Sequence, residues 1–321
     1  MNGQPDPWDE INPQFLAGKL RARRVDATHP HDFYWGLDAN NQRLLLFRPP
    51  QQLDSTIPLP IIRGISIELE PDHFTIRLVN PNDLEIFTTL CWSLIERARG
   101  LLLTGQVLEA LVAHLMRWQR FLGTASLGLL SDEEVRGLFC ELCFLQEVLT
   151  PRYGAEAVGY WHGPSGHPQD FAVGATLFEI KSHMAGAQPV LTISSADQLW
   201  HTSGDLYLVA YTIGVAPKTL AGALSLRQRV EQIRQFLPVS WLDMFEDRLM
   251  ELGYIDHPEY ERQHFTVSQP DCFHVTDTFP RITSDAVPLG VCKVRYAVEL
   301  VACIPFKGEP SWASLGGING Y

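Results

Sequence analysis

Two strand-like runs, residues 170–173 and 176–182, are separated only by Gly174 and Ala175. A two-residue connection between such runs reads as a tight β-hairpin, with glycine where the turn needs a positive φ. In that register Val173 faces Thr176, and counting back along both strands puts Asp170 opposite Glu179, their Cβ atoms about 5 Å apart. Like charges so placed destabilise a sheet unless a cation lies between them. Side chains alternate along a strand, so Leu177, Glu179 and Lys181 share one face while Phe178 and Ile180 take the other. The hairpin can therefore bury one face and keep acids and an ammonium on the opposite one.

Converging carboxylates are the hard oxygen donors that Mg²⁺ and Mn²⁺ prefer, so Asp170 and Glu179 are the candidate metal ligands, with the Ile180 carbonyl as a third donor. Lys181 is a compact point charge two residues from a ligand, placed to orient an attacking water and steady its negative charge. On the helix preceding the hairpin, Glu141 lies about 40–60° around the helical wheel from Leu138 and Leu145. Phe139, Cys140, Cys143, Phe144 and Val148 make that helix apolar nearly all round. A carboxylate in such surroundings is costly unless paired or near a metal. Glu141 is thus either a further site residue or the partner of an arginine such as Arg152.

Asp170 with Glu179-Ile180-Lys181, preceded by a helix bearing Glu141, resembles the PD-(D/E)XK nuclease superfamily. More narrowly, Gly137-Leu138-Phe139-Cys140-Glu141-Leu142, residues 163–171, residues 178–181, and Ile193-Ser194-Ser195 with Gln198-Leu199 are similar to a bacterial family of PD-(D/E)XK-motif proteins of unknown function. The resemblance covers the middle third of the chain, with weaker echoes at Phe279-Pro280-Arg281 and Tyr296. Gln169 separates Pro168 from Asp170 where the motif's name has them adjacent.

The resemblance implies an α/β, restriction-endonuclease-like fold with a mixed sheet flanked by helices. It implies a divalent metal, Mg²⁺ or Mn²⁺, and hydrolysis of DNA phosphodiester bonds in restriction or phage defence. It also implies defence-system ATPase or methyltransferase partners, and double-strand cutting would call for a homodimer. Gln198 would approach the phosphate or metal shell, although Ser195-Ala196-Asp197-Gln198 is equally a plain capping box. The alternatives are a catalytically silent DNA-binding or assembly subunit with the same fold, and a nuclease acting on RNA.

Around this core the sequence suggests an N-terminal α+β region (1–126), the nuclease-like core (127–237) and a C-terminal strand-rich region (238–321). Short β-like runs fill residues 32–80, helical stretches follow at 83–99 and 106–122, and 123–128 reads as a linker. Ser131-Asp132-Glu133-Glu134 opens a third helix as a capping box. A strand is expected at 157–161, a short helix from Ser194 or Ser195, and helices at 225–237 and 240–252. The last two, with strand-like 265–267 and 273–275, suggest either a winged helix-turn-helix or an ordinary helix pair followed by strands.

With 45% hydrophobic and 19% charged residues the 321-residue chain has ample core material. No run approaches the 18 or so apolar residues of a membrane span, and the N-terminus lacks a signal-peptide pattern, which places the protein in the cytoplasm. Six scattered cysteines, Cys140 and Cys143 among them, read as buried reduced thiols. His162, His167 and His183 surround the hairpin and read as solvated groups rather than ligands. A net charge of -12 excludes loose electrostatic coating of nucleic acid. Any DNA contact needs a local basic surface, and Lys19, Arg21, Arg23 and Arg24, or Arg262, Arg281, Lys293 and Arg295, are the candidates.

Overall fold

The computed structural model describes residues 6–11, 20–101, 103–122, 129–201 and 203–316, which divide into two compact units. Lys19 and the expected linker at 123–128 lie outside the described residues. One unit spans residues 1–129 with 255–257, the other 130–254 with 258–321.

The first unit is an antiparallel sheet of β1 (Arg21–Arg24), β2 (Asp32–Leu37), β3 (Arg43–Arg48), β4 (Ile65–Glu70) and β5 (His73–Leu78), in the order β1-β2-β3-β5-β4. Helices α1 (Leu84–Arg99) and α2 (Thr104–Leu122) follow. Phe87, Leu90, Leu94 and Ile95 on α1 and Leu108, Leu111, Leu115 and Trp118 on α2 are buried at helical spacing, as their apolar stripes require. The basic cluster at β1 is already engaged: Arg23 pairs with Glu10 at 2.8 Å and Arg24 with Asp32 at 2.8 Å.

The second unit opens with α3 (Asp132–Cys143), where Ser131 and Glu134 form the reciprocal capping box that the sequence predicts. Such a cap stabilises a helix start by about 1 kcal/mol. The helix widens into a π-helical turn (Phe144–Leu149) and ends in α4 (Thr150–Tyr153). A 3₁₀ stretch, Gly154–Tyr160, then occupies the place where a strand is expected at 157–161. Buried Ala157 and Val158 imitate a strand in sequence, but Gly154 takes a φ of 62° and starts a tight coil instead.

The sheet follows: β6 (Phe171–Val173), β7 (Thr176–Met184), β9 (Asp205–Ala216), β10 (His264–Val267) and β11 (Asp271–His274), while β8 (Val190–Ile193) pairs separately with β12 (Tyr296–Glu299). β6 and β7 are antiparallel, with Val173 opposite Thr176, and β7 runs parallel to β9 with Glu179 beside Leu208. The result is a mixed sheet flanked by helices, consistent with the restriction-endonuclease-like α/β fold.

Helices α5 (Leu226–Phe236) and α6 (Val239–Glu251) lie between β9 and β10. They are not followed by a wing: β10 and β11 each pair with β9 rather than with one another, so the strand runs extend the central sheet.

The sheet buries both faces, by alternation along β7. Phe178, at 0% exposure, stands against Phe144 with ring centroids 5.2 Å apart, and Phe144 against Phe171 at 5.1 Å. Each such ring contributes about 2–3 kcal/mol by leaving water. On the opposite face Leu177 packs against a core of Leu191, Ile193, Leu206, Leu208, Phe273, Phe279 and Val298. Glu179 and Lys181 follow Leu177 on that second face.

Candidate active site

The hairpin turn is made by Gly174, whose φ of 59° suits a position where a side chain would be strained. Asp170 sits one residue before β6, in register with Glu179, and is held from both ends. Its backbone carbonyl accepts from His162 N–H at 2.7 Å and Gly163 N–H at 2.9 Å, and its Oδ2 accepts from Ile180 N–H at 2.7 Å. A strand residue turns its N–H and C=O to the same side. The Ile180 carbonyl therefore lies along the edge where Asp170 stands, two residues past the last rung of the β6–β7 ladder.

Glu179 is fully buried and ion-pairs through Oε1 with Lys181 Nζ, while its Oε2 is buried with no hydrogen-bond partner. Glu141 accepts through Oε2 from Trp161 Nε1 at 2.7 Å. Arg152, the other partner open to Glu141, lies elsewhere: it donates to the Val148 carbonyl at 2.5 Å and stacks over Trp312.

Burial pushes the Glu141 carboxyl up to about 8, with the charge of Asp170 adding to the effect and the Trp161 N–H and Lys181 opposing it. Asp170 is raised by burial, against the pull of Lys181 and the Ile180 N–H. Glu179 is pushed well above the usual range by burial and then by Asp170. Burial would lower Lys181, but Glu179, Asp170 and Glu141 together hold it above the ordinary lysine value. Lys181 is thus a firm ammonium among three carboxyl groups that all feel one another. Three carboxylates against one ammonium leave two uncompensated negative charges around a fully buried Glu179 and the partly buried Glu141 and Asp170, to be balanced by protons or by a divalent cation.

The donor set fits such a cation by chemistry: hard carboxylate oxygens, a surplus of two negative charges, and the orphaned Glu179 Oε2. Among the described residues no group of three or more His, Cys, Asp and Glu side chains stands as a ready-made metal cluster. Lys181, clamped to Glu179, occupies part of that carboxylate's capacity.

A sequence model of the family described as "Putative PD-(D/E)XK family member" (DUF4420) matches residues 5–301. The chain belongs to the DUF4420 family. No curated protein and no solved structure matches it. The DUF4420 match reaches well beyond the middle third, taking in the N-terminal sheet and β12.

Of the residues singled out in the sequence, Asp170, Glu179, Lys181 and Glu141 are brought into electrostatic contact. Gln198 is placed otherwise: it follows Ser195 in a 3₁₀ turn, Ala196–Leu199, and its Oε1 accepts from Ser194 N–H at 2.8 Å. Gln169, which interrupts the proline–aspartate pair, is 2% exposed and bridges to the carbonyls of Asp197, Gln198 and Trp200 at 2.8, 3.3 and 3.2 Å. It pins the approach to β6 against that turn.

Trp161 and the His162–Gly163 backbone escaped the sequence reading. Trp161 entered only as the end of the strand expected at 157–161, and nothing in its neighbours announced a donor aimed at α3. His183 bonds Thr212 Oγ1 at 3.1 Å, and the His162 and His167 rings lie 6.0 Å apart.

Proposed function

We propose that this protein is a metal-dependent endonuclease that hydrolyses DNA phosphodiester bonds. The observation that carries the reading is the buried Glu179, whose Oε2 has no partner while its Oε1 pairs with Lys181 and the charge of Asp170 acts on it. Burying that much unpaired charge costs several kcal/mol and is retained where it does chemistry.

In this reading Asp170, Glu179 and the Ile180 carbonyl would hold Mg²⁺ or Mn²⁺, which would supply Lewis-acid activation of water and of the phosphate. Lys181 orients the attacking water and offsets the negative charge that develops on the phosphate oxygens. Glu141, kept near neutrality by burial, takes or releases a proton close to physiological pH or completes the metal's outer ligands. Trp161 fixes its carboxyl by donating to Oε2. No covalent intermediate is needed.

A role in restriction or phage defence, with an ATPase or methyltransferase partner, a homodimer for double-strand cutting and a cytoplasmic setting, extends this reading from family membership. Among the described residues no helix is long and apolar enough to cross a membrane. The second reading, a catalytically silent DNA-binding or assembly subunit, is favoured by one observation, the closed Glu179–Lys181 ion pair. Conversion of supercoiled plasmid to nicked or linear DNA in Mg²⁺ or Mn²⁺, suppressed by EDTA, separates the two. Intact plasmid in every metal would remove the enzymatic reading.

A further inference from the structure

The chain between β11 and β12 leaves the face that carries Glu179 and Lys181 and returns to it. At its first end Phe279 is buried in the core with Leu208, the register neighbour of Glu179, and Arg281 donates to the Leu199 carbonyl at 2.6 Å. The Arg281 side chain is 10% exposed and meets the exposed Asp277 carboxylate at 3.5 Å, while its Nε is buried without a partner. At the second end Tyr296 pairs with Ile193 and packs against the same core, as Leu177 does. Burial holds the Tyr296 phenol above its ordinary value, and it feels the charges of Arg281, Glu179 and Lys181. The second end therefore stands near the candidate site, and the first is packed into the core under the same sheet face.

The residues between are of another character. Leu289 is 106% exposed, and Val291, Cys292, Lys293 and Arg295 are also exposed. Lys293 takes a φ of 55°, a conformation uncommon outside glycine, asparagine and aspartate. Residues 281–296 hold three basic side chains, Arg281, Lys293 and Arg295, against one acid, Asp285, in a chain whose net charge is -12. Arg295 meets Glu133 at 3.0 Å, but both side chains are more than half exposed, and a phosphate readily replaces such a partner. Lys293 has no acidic partner among the described residues. Basic residues flanking exposed apolar ones, on a segment that returns to the candidate site, match a nucleic-acid backbone and groove.

We propose that the segment from Arg281 to Tyr296 is the arm by which the site grips duplex DNA. Lys293 and Arg295 take backbone phosphates, Leu289 lies in a groove, and Arg281 and Tyr296 face the strand to be cut. The assignment rests on the nuclease reading for its choice of ligand.

The test is fluorescence anisotropy of a labelled DNA duplex, titrated in EDTA so that nothing is cleaved. The variants are Lys293→Glu with Arg295→Glu, and Leu289→Ala, all at exposed positions. The double reversal should weaken binding tenfold or more and flatten the slope of log K against log salt by about two, one for each lost phosphate. Leu289→Ala should weaken it by a smaller factor with the salt slope unchanged. Binding of the double reversal within twofold of wild type, or no DNA binding by the wild type, overturns the arm. Parallel plasmid reactions in Mg²⁺ keep the two ideas apart: binding that depends on the arm without cleavage sinks only the nuclease reading. Cleavage that ignores the double reversal sinks only the arm.

Discussion

Replacing Glu141 by glutamine should stabilise the metal-free protein at alkaline pH and cost nothing in acid. The carboxyl moves from an ordinary value of 4.5 to about 8 on folding, because it is buried and faces Asp170. At roughly 1.4 kcal/mol per tenfold change in proton affinity, the ceiling on the penalty for ionising it fully is on the order of 5 kcal/mol.

A raised carboxyl binds its proton more tightly in the folded state, so its cost is absent below pH 4.5, grows as pH rises, and is complete above about 8. Coupling to Asp170 and partial solvent access reduce the observable share to about 2 kcal/mol at pH 8.5, or roughly 4–8 °C in Tm. Glutamine keeps an oxygen to accept the Trp161 N–H. Thermal or urea unfolding of wild type and Glu141→Gln at pH 4.5, 6.5 and 8.5 in EDTA is the assay. The difference should open with pH in favour of the variant, and Mn²⁺ should stabilise the wild type more than the variant. A variant equally or less stable at every pH would refute the idea that Glu141 is a strained, unneutralised acid.

Asp170→Asn should also raise the apo melting temperature, since the amide oxygen still accepts the Ile180 N–H while the repulsion with Glu179 is gone; cleavage and Mn²⁺ affinity by calorimetry should both be lost. Trp161→Phe removes the N–H that favours the charged form of Glu141, so the Glu141 carboxyl should titrate higher still in a ¹³C NMR titration, with about 1–3 kcal/mol of stability lost from an unmade buried hydrogen bond. An unmoved titration would free Glu141 from Trp161. Gly163→Ala places a Cβ 3.0 Å from Asp170 Oδ1 and 3.3 Å from its Cα, so Asp170 must shift, and Mn²⁺ affinity should fall with the fold intact by circular dichroism.

The hairpin was legible because one local rule, two residues with glycine between alternating runs, sets the register outright. That register placed Asp170 at the level of Glu179 and put Glu179 and Lys181 on one face. Glu141 stood out as an acid in an apolar helix, a signal that survives whatever packs around it. Its hydrogen-bond partner did not stand out, because the Trp161 indole arrives from a 3₁₀ stretch whose apolar spacing mimics a strand. Gln169 looked like an interruption of the motif, and only the folded turn at 197–200 shows that it is a pin. The winged-helix alternative failed because two short strands cannot announce their partner: both joined the twelve-residue β9, whose length leaves room for two successive neighbours. Likewise, the proximity of Tyr296 to Lys181 comes from a strand more than a hundred residues away in the chain, beyond the reach of periodicity.

Whether these carboxylates serve a metal while Lys181 serves the chemistry is decided by the rate of Lys181→Ala at saturating metal. Single-turnover cleavage of plasmid DNA by wild type and variant, with Mn²⁺ affinity measured on both, gives rate and metal binding separately. Lys181→Ala should bind Mn²⁺ at least as well as wild type, because the ammonium no longer holds Glu179 Oε1, while cleavage falls about a hundredfold or more, roughly 3 kcal/mol of transition-state stabilisation. Wild-type cleavage by Lys181→Ala in saturating metal would contradict it.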